Sequence, residues 1–370
     1  MKERSIKAYF NHAGLTRPSG RIIARVRAAE REFGDLLFSE SGISAYLAML
    51  AECRAAIAEA MGLVEASGIS ITINATAAIQ LAMSALAATL APGDFVLTSD
   101  QEHPCVTRPL AQLARRGIEV TEVAADSAAE FLDRVAALIA RRRPGFAVIS
   151  QVSYKNGRII PVEQVGEMLA ADQIPYIVDG AQAFGQIPVN VPATRAWAYI
   201  FSGHKWIGGP WATGGMWTSA EFDAHNRFTL INCDDGITPA TGGRYESGTM
   251  SYGTIAGLRD AVREYIADGT SRADTLRRLR EEIGGRLEGL YPATRWDGHF
   301  APGILSYLMP PEENSWDLAE TTLARHGVAI KPFHPPERPD AIRISFKAST
   351  SRTDIDLLER ALREVHGRRR

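Results

Sequence analysis

The sequence predicts an α/β fold: a large domain with a mainly parallel central sheet flanked by helices, then a smaller α+β domain at the C-terminal end. Three observations predict it. Short apolar runs alternate with helical patterns through the middle of the chain, at the spacing of βα units with short connections. Polar clusters follow several of those runs, where an open α/β sheet places its ligands. From about residue 255 the texture changes to long charged helices and a short β-rich stretch.

The expected strands are "GISITIN" (68–74), "DFVLTS" (94–99), "IEVTEVA" (118–124), "FAVISQVS" (146–153), "PYIVDG" (175–180) and "WAYIFSG" (197–203). Helical patterns at 76–90, 104–116, 128–142 and 163–171 lie between them, punctuated by glycine and polar residues. Residues 257–290 read as one long solvated amphipathic helix, and "TDIDLLERALREV" (353–365) as the last helix. The expected organisation is an entry segment over 1–20, a large domain over 21–254 and a small domain over 255–370.

Composition narrows the function. The 370 residues carry 41 Lys and Arg against 43 Asp and Glu, a net charge of −2 that gives no support for a nucleic-acid or membrane-surface partner. Cys53, Cys105 and Cys233 are scattered and odd in number, with no metal-type spacing, which points to a reducing compartment without a disulfide framework. The N-terminus "MKERSIKAYF" lacks an apolar signal core, and the most apolar helical stretch (75–91) is too short to span a bilayer, so a cytoplasmic protein is expected.

The clusters after the strands carry the chemistry. Ala75 and Thr76 open a helix whose N–H groups, with the Thr76 hydroxyl, suit an anion; the plainer reading of Thr76 is a helix cap. Asp179 ends an apolar run, where a carboxylate must be paired: it caps the following turn or holds a cation. His103 precedes a proline at a helix start, and either caps that helix or stacks on a flat ligand. Ser202 and His204 add donors, and Lys205 beside glycines is placed like a nucleophile screened from water. Together these groups describe one ligand, an aromatic cation bearing a phosphate and an aldehyde, which is pyridoxal 5'-phosphate.

The run from Val178 to Trp217, with its D-x-A-Q and following S-x-H-K, resembles the core of the class V aminotransferases. These are fold-type I pyridoxal-phosphate enzymes that include cysteine desulfurases and isopenicillin N epimerase. "YFNHAG" (9–14), "QEHP" (101–104), "ESGT" (246–249) and "IRISFKASTSRTDID" (342–356) resemble further motifs of that family. The resemblance implies that Lys205 forms a Schiff base with the cofactor and moves the α-proton, and that Asp179 pairs with the ring nitrogen. It implies that Gln182 binds the ring hydroxyl, that His103 stacks on the ring, and that Ala75, Thr76, Ser202 and His204 hold the phosphate. Thr249 would come from the partner subunit of a homodimer whose active site lies at the interface. Arg343 would bind the carboxylate of a small amino-acid substrate, near Asn11, His12 and Tyr154.

The sequence departs from the desulfurases in two places. Their loop cysteine has no counterpart in "GVAIKPFHPPERPDAIRIS" (327–345), which carries His334 instead. Tyr154 stands where those enzymes commonly have an asparagine, leaving Tyr154 and Asn156 both open as the residue facing the cofactor. His12 and His334 are candidates for a second acid–base group. Arg244, Tyr245, Tyr252 and Trp206 read as packing or as contacts to a bulky substrate. Transamination leads among the expected reactions, with α,β-elimination, such as C–S bond cleavage, and epimerisation as alternatives, and a non-catalytic cofactor-binding protein behind them.

Overall fold

The computed structural model describes residues 5–37, 39–226, 242–294, 298–311, 313–333 and 341–367. They group into two compact units, a larger one of Arg17–Ser153 and Ile160–Asp268 and a smaller one of Met1–Thr16, Tyr154–Ile159 and Gly269–Arg370.

The larger unit is built on a seven-stranded sheet of β1 (Ile69–Thr72), β2 (Phe95–Ser99), β3 (Glu119–Val123), β4 (Phe146–Ser150), β5 (Tyr176–Asp179), β6 (Ala198–Ser202) and β7 (Gly214–Thr218). Their order across the sheet is β1-β7-β6-β5-β4-β2-β3, and every strand but β7 runs in one direction. Every residue of β2, β4, β5 and β6 is buried, so these strands read as continuous apolar runs, as strands covered on both faces do. All six strands expected from the sequence are present. β7 was not anticipated: its "GGMWT" begins on two glycines after a Gly- and Pro-rich run, which masks a strand.

Helices α1 (Gly20–Gly34) and α2 (Glu40–Ala60), capped by Ser19 and Ser39, precede the sheet. The crossovers are α3 (Ala75–Ala87), α4 (Pro104–Arg115), α5 (Ala128–Arg141) and α6 (Val162–Ala171), as the periodicity predicts. After the short α7 (Ala220–His225), α8 (Tyr252–Asp268) packs against α1 and α2. That packing keeps α8 in the larger unit, so the division falls at Gly269 where the change of sequence texture had pointed to about 255.

The long charged stretch is two helices, which corrects the single helix expected. α8 stops at Asp268, Gly269 takes a left-handed φ of 52°, and α9 (Ser271–Arg286) starts anew. The smaller unit holds an antiparallel sheet of β8 (Ile304–Leu308), β9 (Lys331–Phe333) and β10 (Ala341–Ser345) in the order β9-β10-β8, with α10 (Ser315–His326) and α11 (Arg352–Gly367). The N-terminal Ala8–Tyr9 pairs in parallel with Val328–Ala329, and Phe10 joins Ile342, Ile344, Phe346 and Leu358 in its core. Residues 154–159 belong here too: Ile159 N donates to His299 O at 2.9 Å and Ala301 N to Gly157 O at 2.7 Å.

Gly180, directly after β5, tests how tightly the sheet end is packed. A Cβ there would lie 2.2 Å from the buried Tyr199 ring, whose hydroxyl donates to Gln151 Oε1 at 2.5 Å. Gly180→Ala is expected to cost about 1–3 kcal/mol, read as a lower urea midpoint; an unchanged midpoint would refute this packing.

Candidate active site

The carboxyl ends of the parallel strands share one rim, and β7 brings two parts of it close together. Thr72 of β1 and Ser202 of β6 both pair with Gly214, so the start of α3 and the Ser202 turn stand about 10 Å apart, two strand spacings. Gly214 is required there, because a Cβ would fall 2.7 Å from Asn74 C and 2.8 Å from Ala75 N. Asn74, and not Thr76, caps α3, its Oδ1 accepting from Ala77 N at 2.8 Å. Ala75 and Thr76 therefore occupy the first turn, where N–H groups have no intrahelical acceptor, and Thr76 is exposed.

The Ser202 turn supplies further donors. His204 Nδ1–H donates to Thr213 O at 2.9 Å, which fixes the tautomer and turns Nε2 toward Ser202 Oγ, 3.4 Å away. Burial pushes the His204 pKa down, the Thr213 carbonyl opposes this, and the Lys205 charge adds to the fall. The lysine's charge also opposes the rise of the Asp179 and Cys105 pKa values that burial causes.

Asp179 ends β5 at 5% exposure, with Oδ1 accepting from Ala181 N at 2.9 Å. Burial raises its pKa, and Lys205 and the Ala181 N–H offset part of that rise. The turn-capping role is thus real, and it leaves a buried carboxylate that a cation would stabilise. Gln182 accepts from Trp206 Nε1 at 2.8 Å through Oε1, which turns its NH2 away from the indole as the donor end. His103 caps α4, its Nδ1 accepting from Cys105 N at 3.1 Å. The same Nδ1 lies 3.0 Å from Cys105 Sγ, and the helix-capping reading of His103 holds.

Glu102 was missed by sequence reasoning, which read it as part of a polar loop. It is 2% exposed and accepts from Ser99 Oγ at 2.6 Å, Ser150 N at 2.9 Å and Ser150 Oγ at 2.6 Å, tying the end of β2 to the end of β4. Burial pushes its pKa up to about 7 against those hydrogen bonds.

The smaller unit carries the other predicted residues. Arg343 on β10 is 3% exposed, with Nη1 donating to Tyr154 O at 2.5 Å and Nη2 to Asn11 Oδ1 at 2.8 Å. Its buried Nε has no hydrogen-bond partner. Burial lowers its pKa to about 10, so it is still a cation at neutral pH. His12 is 4% exposed, and burial, with Lys347 adding to it, lowers its pKa to about 4; its Nδ1 is unpartnered, so a neutral imidazole lies in this unit. Asn156 accepts from Arg158 N at 3.1 Å as a turn residue, while the Tyr154 ring packs edge-on to Phe333. His334 and Cys233 lie outside the described residues.

Thr249 is exposed on a loop of the larger unit. Tyr245 donates to Asp223 at 2.7 Å, Arg244 pairs with Asp223 at 3.5 Å and Tyr252 stacks on Phe33, so these three serve packing. Among the described residues no helix is long and apolar enough to cross a membrane.

Comparison with known proteins shows the family and the fold. The family model of aminotransferase class-V matches residues 42–358. Cysteine desulfurase IscS of Serratia proteamaculans is 32% identical over 197 residues, 52% of this chain and 46% of that protein, so the match spans about half the curated relative's length. The apo cysteine desulfurase of Thermococcus onnurineus NA1 superposes with a TM-score of 0.85 at 21% identity, covering 97% of this chain and 94% of that one. The cystine C-S lyase C-DES, in complex with its reaction product cysteine persulfide, gives a TM-score of 0.80 at 22% identity over 96% of each chain. The chain belongs to the aminotransferase class-V family and has the fold-type I architecture of its pyridoxal-phosphate enzymes. Pyridoxal 5'-phosphate is the cofactor of that family. The residues present fit it: a buried carboxylate and a lysine on one rim, an oriented amide donor, and hydroxyl, imidazole and helix N–H groups for a phosphate.

Glu102 sets a pH test. Its folded pKa of about 7 lies above the ordinary 4.5, so its stabilising contribution is present below pH 4.5 and is lost as pH rises through 7. Glu102→Gln is expected to gain on the parent by on the order of 3 kcal/mol between pH 4.5 and 8. Urea unfolding of both across that range checks it, and a pH-independent difference would contradict it.

Proposed function

We propose that this protein is a pyridoxal-phosphate-dependent lyase that cleaves a β-substituent, such as a C–S bond, from a small α-amino acid. The observation that carries the proposal is the carboxyl rim of the larger sheet, where Asp179 ends β5, Ser202 ends β6, His204 lies beside Ser202, and the charge of Lys205 acts on both Asp179 and His204. When bound, the cofactor supplies an aldehyde for the substrate amine and an electron sink for the electrons of the α-carbon.

In this reading the chain's residues bind, orient and move protons. Asp179 holds a proton on the ring nitrogen, and its burial makes that pairing favourable. Gln182 donates to the ring hydroxyl, the amide held by Trp206. His103, oriented by its cap on α4, would stack on the cofactor ring. Ala75, Thr76, Ser202 and His204 take the phosphate, and Thr249 reaches the phosphate of a second copy in a homodimer. Lys205 Nζ removes the α-proton. Arg343 takes the substrate carboxylate with its unpartnered Nε as one donor, beside Asn11, His12 and Tyr154. At neutral pH His12 acts as an acceptor, being unprotonated.

The comparison proteins are named cysteine desulfurases or a C–S lyase, which favours elimination over transamination. Residues 327–345 contain no cysteine, and burial raises the thiol pKa of Cys53 and Cys105 well above the ordinary value. Those protonated thiols are poor nucleophiles, so neither Cys53 nor Cys105 is suited to hold the released sulfur. Transamination is the second reading, favoured by the family description.

The holoenzyme, given a panel of amino acids without keto acid, is expected to form keto acid and ammonia while its visible cofactor band persists. A band that bleaches to the aminated cofactor instead would establish a transaminase. Lys205→Ala is expected to abolish borohydride fixation of the cofactor; retained fixation would sink the assignment. Arg343→Lys is expected to raise KM roughly tenfold to a hundredfold, since one ammonium cannot reproduce the guanidinium fork; an unchanged KM would remove Arg343 from the substrate site.

A further inference from the structure

We propose that Tyr46, Arg54 and Glu246 are positioning residues: a tether on α2 that holds the Ser247-Gly248-Thr249 tip in the shape a second copy of this chain uses for its cofactor phosphate. The inference rests on the reading of Thr249 above and adds what makes that contact in trans work.

The segment before the tip is bolted to the larger unit. Arg54 and Glu246 are 5% and 4% exposed and form a two-pronged pair, Nε to Oε1 at 2.8 Å and Nη2 to Oε2 at 2.5 Å. Glu246 Oε1 also accepts from Ile71 N of β1 at 2.9 Å, so helix, strand and loop meet on one carboxylate. Gly242 and Gly243, at φ of 93° and 103°, let the chain pass close by: a Cβ on Gly243 would lie 2.6 Å from Arg54 Nη2. Tyr245 N donates to Ser70 Oγ at 3.1 Å on the same strand.

The segment after the tip is fastened to the same helix. Tyr46, about two turns before Arg54 on α2, accepts from Met250 N at 2.8 Å and donates to Met250 O at 3.2 Å. Glu30 of α1 then accepts from Ser251 Oγ and from Gly253 N at 3.0 Å, capping the start of α8. Between these anchors Ser247, Gly248 and Thr249 are exposed, and Gly248 turns the tip with a φ of 65°.

A buried ion pair contributes little net stability compared with apolar residues of the same shape, but it admits one orientation. Here that orientation decides where the tip projects. Ile43 and Leu47, which flank Tyr46 on α2, are 59% and 56% exposed, so the helix that carries the tether also presents apolar surface for a second copy.

The test uses Tyr46→Phe, which removes one oxygen and keeps the ring beside Phe33 and Tyr252; truncating Arg54 or Glu246 would strand a buried charge. Cofactor dissociation constants are measured by titrating full-length apoprotein with pyridoxal phosphate. Thr249→Val is expected to weaken binding about tenfold, Tyr46→Phe severalfold, and the double variant no more than Thr249→Val alone. Fully multiplicative losses, or no loss with Tyr46→Phe, would overturn the tether. No loss with Thr249→Val would overturn the in-trans phosphate contact and the tether with it. In a mixed dimer of a Tyr46→Phe chain with a Lys205→Ala chain, the intact Lys205 receives its tip from a chain with an intact tether. The cofactor concentration at which borohydride fixes half of that Lys205 should then return to the parental value, and a persistent defect would overturn action in trans.

Discussion

A sheet buried on both faces leaves its polar side chains no place except its ends, and the larger unit depends on that constraint. Along β4, β5 and β6 no side chain escapes burial, so Ser150, Asp179 and Ser202 gather at the carboxyl rim. The antiparallel β7 brings the first strand beside the sixth through Gly214, and so joins helix N–H groups to the Ser202 turn. That register sets the start of α3 and the Ser202 turn on the same rim as Asp179.

Burial sets the electrostatics of each cluster. Asp179 and Glu102 are both pushed toward the protonated form, yet differ in partners: Glu102 has three protein donors, while Asp179 has one N–H and the charge of Lys205. One carboxylate is consumed in tying strands together, and the other keeps capacity for a cation. In the smaller unit the same desolvation acts on cations. Arg343 has pKa to spare and stays charged, whereas His12 does not.

Much of this was legible in the sequence because the governing signals are local. Buried parallel strands are apolar runs, and the crossover helices begin on capping residues, so six strands and the intervening helices could be read. Asp179 stood out because it ends an apolar run, and Lys205 because it follows one closely and is flanked by glycines. The remainder depended on distant contacts. β7 hides behind glycines whose purpose, close approach to Asn74 and Ala75, is visible only in three dimensions. Glu102 looked like a loop residue because its partners include Ser150, 48 residues away. The charged stretch concealed its break because one glycine among many charged residues is a weak signal, and the packing of α8 on α1 and α2 was not legible because those helices lie far away in the sequence.

The smaller unit is stitched from three separate lengths of chain, and this bears on how the protein is made. Ala13 N bonds Ser345 Oγ across 332 residues, and the strand Ala8–Tyr9 pairs with Val328–Ala329. During synthesis residues 8–13 emerge long before residues 328–346, so Phe10 is bound for a core that does not yet exist. The larger unit is complete in sequence at Asp268 and can collapse while the ribosome is still working. Residues 8–13 thus find their place only after the distant strands at 328–345 have been made, and the smaller unit closes later than the larger one.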